Sequence, residues 1–152
     1  MYKQPRSIQV VVFADEGSQR LYLLLRRNAD HGGFWQAVTG SLEGTETHRQ
    51  AAVREVFEET GISSTEDDLL DLGLRNTFVI SPQWLPKYEP GVMHNEEICF
   101  ALRVRRCEVS IDPVEHDAYR WEPYEIAREM LYWESNKQAF SAANLVAETS
   151  RS

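Results

Sequence analysis

Four residues with chemical potential lie close together, Arg54, Glu55, Glu58 and Glu59 in the stretch Gly40 to Ile62, GSLEGTETHRQAAVREVFEETGI. Their spacings of one, three and four place the side chains on one side of a helix turning by about 100° per residue. Three carboxylates therefore share a face. At about 6 Å and an effective dielectric near 20, each pair repels by roughly 3 kcal/mol, and less where water screens it. Arg54 can pair with Glu58 one turn on, but one guanidinium does not neutralise three carboxylates. A hard divalent cation such as Mg²⁺, which prefers carboxylate, carbonyl and water oxygens, suits the face.

The surrounding residues read as the element that holds this face still. Thr45 is the expected N-cap of a helix beginning near Glu46, whose charge suits the positive end of the helix dipole. Ala51, Ala52, Val53 and Val56 supply an apolar stripe for docking on a sheet, and Gly61 ends the helix as a C′ glycine before Ile62 returns to the core. Just upstream, Thr39 and Gly40 offer a carbonyl free of regular pairing, and glycine permits close approach.

Taken in order, Ile8 to Ala14 and Leu21 to Arg27 are rich in apolar and β-branched residues around the turn-like ADEGSQ, and predict two paired central strands. The second closes on Arg26 and Arg27, either a solvated terminus or cations that grip phosphate oxygens. Phe34 and Trp35 read as core aromatics, with ring stacking on a ligand as the alternative. Asp71 to Ile80 predicts a strand, followed by SPQWLPKYEPGVMHN, a loop of a length typical of binding loops or lids, carrying Trp84, Lys87 and Tyr88. Glu96 to Arg105 and His116 to Trp121 predict further strands. Pro123 opens one helix, Ser135 caps another running to about Ala147, and residues 148–152 read as a frayed tail.

At 152 residues and 42% hydrophobic content the chain suits a single domain with its own core. A net charge of −8 disfavours nucleic acid and anionic membranes, both of which need a basic footprint. It is compatible with a phosphorylated small molecule that arrives with a metal. Cys99 and Cys107 match no metal spacing and are too few for a disulfide scaffold, which points to a reducing, cytoplasmic setting. No apolar run approaches the ~18 residues of a membrane helix, and the start of the chain reads as a strand and not a signal peptide.

Gly40, five residues, Glu46, seven residues and then Arg54-Glu55-Val56-Phe57-Glu58-Glu59-Thr60-Gly61-Ile62 resembles the Nudix box at every defined position. On average residue usage, a chance match in a chain of this length is on the order of 10⁻⁸ to 10⁻⁷. The chain is thereby identified as a Nudix hydrolase, and an intact box argues against a binding module without turnover. One position departs from the commonest version, with Thr45 where many members carry a glycine before the first box glutamate. Beyond the box, YKQPRSIQVVVFA, LLRR, FWQAVTGSLE, YEPGVMHNEE, EHDAYRW and WESNKQAF resemble the folate-pathway branch of the family, the bacterial enzymes that cleave dihydroneopterin triphosphate.

The resemblance implies an α/β fold, an α/β/α sandwich around a central mixed sheet, with the box helix carrying the metal site. It implies Mg²⁺, with Mn²⁺ as substitute, held by Glu55, Glu58 and Glu59, and Arg54 orienting the glutamates through Glu46. Glu115 is the expected ligand from outside the box, with Glu96 and Glu97 as rivals. The implied substrate is a small-molecule triphosphate: dihydroneopterin triphosphate, cut to the monophosphate and pyrophosphate, or alternatively a nucleotide such as dATP or oxidised dGTP. Lys3 and Arg26 would hold phosphates, Thr39 would border the substrate, and Phe78 and Asn136 would meet the pterin edge. Asn136 as a backbone cap of its helix is the competing reading, and monomer and homodimer both stay open.

Overall fold

The computed structural model describes residues 2–149. Its centre is a mixed seven-stranded sheet. Strands β1 (Arg6–Glu16) and β2 (Gln19–Arg27) leave the turn at Gly17 as an antiparallel hairpin, paired from Phe13 and Tyr22 to Glu16 and Gln19. They then diverge. Into the split run β3 (Trp35–Gln36), pairing Leu25 and Arg26 of β2, and β4 (Val38–Ser41), pairing Ser7 to Val10 of β1. The chain segment preceding the box helix is thus wedged into the middle of the sheet.

β6 (His94–Arg103) lies parallel to β1, with Glu96 to Arg103 opposite Arg6 to Phe13, β5 (Leu69–Val79) pairs antiparallel with β6, and β7 (His116–Pro123) pairs with β2. Both faces of the sheet are covered, which explains why β1 is buried from Ser7 to Ala14 without alternation. On one face Ile8, Val10 and Val12 meet Ala51, Ala52 and Val56 of α1 (His48–Thr60). On the other, Val11, Phe13 and Tyr22 meet Ala139, Phe140 and Ala143 of α3 (Glu134–Thr149), with α2 (Tyr124–Met130) beside it. This is an α/β/α sandwich with a mixed central sheet.

Three sequence expectations shift. The N-cap of α1 is Thr47, not Thr45, and the helix begins at His48 and not near Glu46. A Thr47–Gln50 capping box decides this: the Thr47 hydroxyl accepts from the Gln50 amide, and the Gln50 side chain accepts from the Thr47 amide. Glu46 is thereby released from the helix. The last helix starts at Glu134 and runs to Thr149, so residues 148 and 149 of the expected tail are helical, with Glu148 bonded to Arg20 at 3.0 Å. Residues 150–152 lie outside the described residues.

Candidate active site

α1 presents its acidic side to the wedge formed by β3 and β4. Glu55 is folded so tightly against Gly40 that a methyl on that residue would fall 2.5 Å from Oε1 and 2.6 Å from Cγ of the glutamate. The absence of a side chain at Gly40 is what lets Glu55 lie there. Glu59, one turn on, is 5% exposed, and its carboxyl group lies beside that of Glu55. Burial, then Glu55 beside it, then Glu115 push the Glu59 pKa well above the ordinary value, and burial raises Glu55 as well. Glu58 stands at the rim with its side chain half exposed.

Arg54 is the hub of this arrangement. Its Nε and Nη2 donate to Glu46 at 2.7 and 2.9 Å, Nη1 donates to Glu55 at 2.7 Å and Glu58 at 3.3 Å, and Nη2 also reaches the Ser41 carbonyl at 3.0 Å. The guanidinium fork therefore ties the loop before α1 to the acidic side of the helix.

Behind Glu59 lies a group the sequence reading missed. His116 is fully buried, with Nε2 3.2 Å from Gln36 Nε2 and 3.8 Å from Glu59 Oε1. Burial, then Arg27, push its pKa down to about 4, so the imidazole is neutral at ordinary pH. The available signal was its place beside Glu115 in EHDAYRW. Glu115 itself pairs with Arg27 near the mouth. Lys3 completes that rim: burial, then Lys87, lower its pKa, and the Glu115, Arg27 and Glu55 charges also act on it.

The remaining candidates separate by strand face. Arg26 does not turn toward the box carboxylates. It pairs with Asp117 at 2.7 Å and stacks over Trp35, because side chains alternate along β2 and it is Arg27 that faces α1. Glu96 pairs with Arg75 at 3.2 Å, and Glu97 lies on the α3 side among amides, so neither joins the box face. Asn136 does not use its side chain to cap α3; it donates to Gln9 Oε1 at 2.9 Å and is 3% exposed. Thr39 lies opposite Gln9 in the β1–β4 register, and Phe78, 44% exposed, lies opposite Asn95. Trp35 packs on the core, whereas Phe34 stacks on Tyr132 and meets Trp133 edge-on.

The oxygen donors suit a hard divalent cation. Glu59 Oε2 is buried without any partner, and burial together with a neighbouring carboxylate raises the pKa of both Glu55 and Glu59, a cost that a cation between them would relieve. Among the described residues no three acidic, imidazole or thiol groups converge closely enough to ligate one ion in this arrangement.

A NUDIX domain model matches residues 3–143. The chain belongs to the Nudix family. It is 40% identical over 141 residues to the dihydroneopterin triphosphate diphosphatase of Escherichia coli K12, an alignment spanning 91% of each chain. The solved structure of the E. coli dihydroneopterin triphosphate pyrophosphohydrolase superposes with a TM-score of 0.77 at 37% identity, over 93% of this chain and 95% of that one. A Nudix hydrolase from Listeria monocytogenes superposes with a TM-score of 0.82 at 26% identity, over 96% of each chain. This Nudix chain is a pyrophosphohydrolase, and the family's cofactor is a divalent metal. Its substrates are small and nucleotide-like. Among the described residues no helix is long and apolar enough to cross a membrane.

Proposed function

We propose that the protein hydrolyses dihydroneopterin triphosphate to dihydroneopterin monophosphate and pyrophosphate, with Mg²⁺ as cofactor and Mn²⁺ as substitute. The observation that carries this reading is the likeness to the E. coli enzyme across 91% of both chains, which extends far outside the box. The protein works as one domain over residues 1–152 in a reducing cytoplasm, in keeping with the unpaired Cys99 and Cys107.

Glu55, Glu58 and Glu59 would hold the cation, with the Thr39 or Gly40 carbonyl and Glu115 as further ligands. When bound, the ion supplies charge against phosphate oxygens and lowers the pKa of water. Arg54 keeps Glu55 and Glu58 aimed, anchored in turn by Glu46. Lys3 and Arg27 bring positive charge to the rim, where charge-assisted bonds to phosphate oxygens form. Hydrolysis joins the oxygen of water to phosphorus as the bond to the bridging oxygen breaks. Pyrophosphate leaves, and the monoester stays on the ring-bearing fragment.

The deciding assay compares kcat/KM for dihydroneopterin triphosphate with those for dATP, dGTP and oxidised dGTP. The expected order puts the pterin substrate first. A tenfold or greater preference for any nucleotide, about 1.4 kcal/mol of transition-state discrimination, overturns the proposal. Glu59→Gln should lose most turnover while keeping its fold, and full activity in that variant removes the metal role of Glu59.

A further inference from the structure

On the sheet face opposite α1, the apolar cover given by α3 stops at its first turn, and beyond it the face turns polar. Glu97 is 6% exposed and has no cationic partner among the described residues. Gln9 Nε2 and Asn76 Nδ2 each donate to its Oε1 at 3.1 Å, and the Cys99 thiol lies 3.7 Å from the same oxygen. Oε2 takes no donor from the described residues. Two amide oxygens nearby are also left over. Asn136 spends its Nδ2 on Gln9, and Asn95 spends its Nδ2 on Ser7 at 2.7 Å, so both Oδ1 atoms are buried without a partner. What this face holds unspent is hydrogen-bond acceptors, one of them on an uncompensated carboxylate.

A buried charge and orphaned acceptors are costly unless something donates to them. The ligand complementary to such a face presents several N–H groups on one edge. The 2-amino-4-oxo pyrimidine edge of a pterin does, with the exocyclic amine and the neighbouring ring N–H side by side, the spacing a carboxylate accepts with both oxygens. The adenine edge pairs one amino group with a ring acceptor, which would meet the carboxylate lone pair to lone pair.

Position agrees with chemistry. Asn76 lies opposite Glu97 and Phe78 opposite Asn95 in the β5–β6 register, so the exposed Phe78 ring borders the same acceptors and can stack on a bicyclic ring. Gln9 lies opposite Thr39, whose neighbour Gly40 touches Glu55. From β4 through β1 to β6 is two strand spacings, about 10 Å. The two sites lie on opposite faces of the sheet, so the side chain and phosphates of a ring at Glu97 would reach the box face through the split where β3 and β4 separate β2 from β1.

We propose that Glu97 is the specificity-determining residue that reads the amino and ring N–H groups of the pterin, with Gln9 and Asn76 fixing its carboxylate and Asn136 Oδ1 accepting beside it. This rests on the pterin reading above. The test uses the whole protein with Mg²⁺. In Glu97→Gln, kcat/KM for dihydroneopterin triphosphate falls 30-fold or more through KM, that for dATP stays within threefold or rises, and the affinity for phosphate-free dihydroneopterin, read by fluorescence, falls at least tenfold. Glu59→Gln leaves that affinity within threefold. Pterin turnover and pterin affinity both within threefold of the unaltered protein in Glu97→Gln overturn the inference. A second measurement needs no variant: the unaltered protein should bind the 2-oxo analogue of the pterin at least tenfold more weakly than the 2-amino form, and equal binding overturns the inference. Should the unaltered enzyme not cleave dihydroneopterin triphosphate, it is the functional reading that fails, a result separate from the two others.

Discussion

Replacing Gly40 by alanine probes the contact on which the Glu55 position depends. The new methyl would lie 2.5 Å from Glu55 Oε1, whereas ordinary contact begins at 3.4 Å, so the carboxylate must retreat by about 1 Å. The obstacle is the far end of a flexible side chain, so the backbone need not move, and the Gly40 conformation is open to alanine because it is not among the positive-φ glycines. Folding should be little affected, with the thermal midpoint within a few degrees of the unaltered protein. Catalysis should suffer, because a misplacement of about 1 Å at a positioned group costs on the order of 10²-fold, about 2.7 kcal/mol of barrier. Pyrophosphate release is measured with a coupled inorganic pyrophosphatase, beside a circular-dichroism melt. A Gly40→Ala enzyme within threefold of normal kcat/KM at saturating Mg²⁺ would refute the assignment of Glu55 to the reaction site.

Arg54→Ala should lower stability by about 2 kcal/mol, since Glu46 and the Ser41 carbonyl lose charge-assisted partners. That corresponds to about 4–8 °C in a melt, and Arg54→Lys should not restore it, because lysine has no two-pronged fork. For His116 the folded pKa is depressed from 6.5 to about 4, so the unfolded chain takes up the proton first as pH falls. Its stabilising share is complete above pH 6.5 and is lost toward pH 4, in all about 3 kcal/mol. The gap in urea stability between the metal-free protein and His116→Gln should narrow by that amount over this window, and a constant gap contradicts the burial argument. Cys107 is exposed, while burial, then Glu97, push the Cys99 pKa up to about 12. A thiol reagent at pH 8 should label one cysteine in the native protein and two in urea, and two fast thiols in the native state would contradict the packing of Cys99.

The chain by itself determined the acidic face and the helix that carries it, because these rest on local periodicity, while the reaction class came from the resemblance of the Gly40–Ile62 stretch to the Nudix box. Arg54, Glu55, Glu58 and Glu59 are neighbours on one turn whatever surrounds them. The strands β1, β2, β5, β6 and β7 were legible for the same reason, to within a few residues at each end, whereas β3 and β4, which read as loop and a short apolar stretch, were not. The start of α1 was read two residues early: Thr45 and Thr47 are equally good caps by type, the local signal in favour of Thr47 is Gln50 three residues on, and the tertiary Glu46–Arg54 pair holds Glu46 outside the helix. Tertiary structure alone decided which way the strand residues face. Arg26 and Arg27 are alike in sequence, yet one stacks on Trp35 and the other faces the carboxylates. It also brought together groups far apart along the chain: Glu59 with His116 and Gln36, and Gln9 with Glu97 and Asn136. A polar residue inside an apolar strand signals an exception to the core. What it is for depends on which strands lie beside it, and strand order is set by long-range pairing that no local pattern encodes.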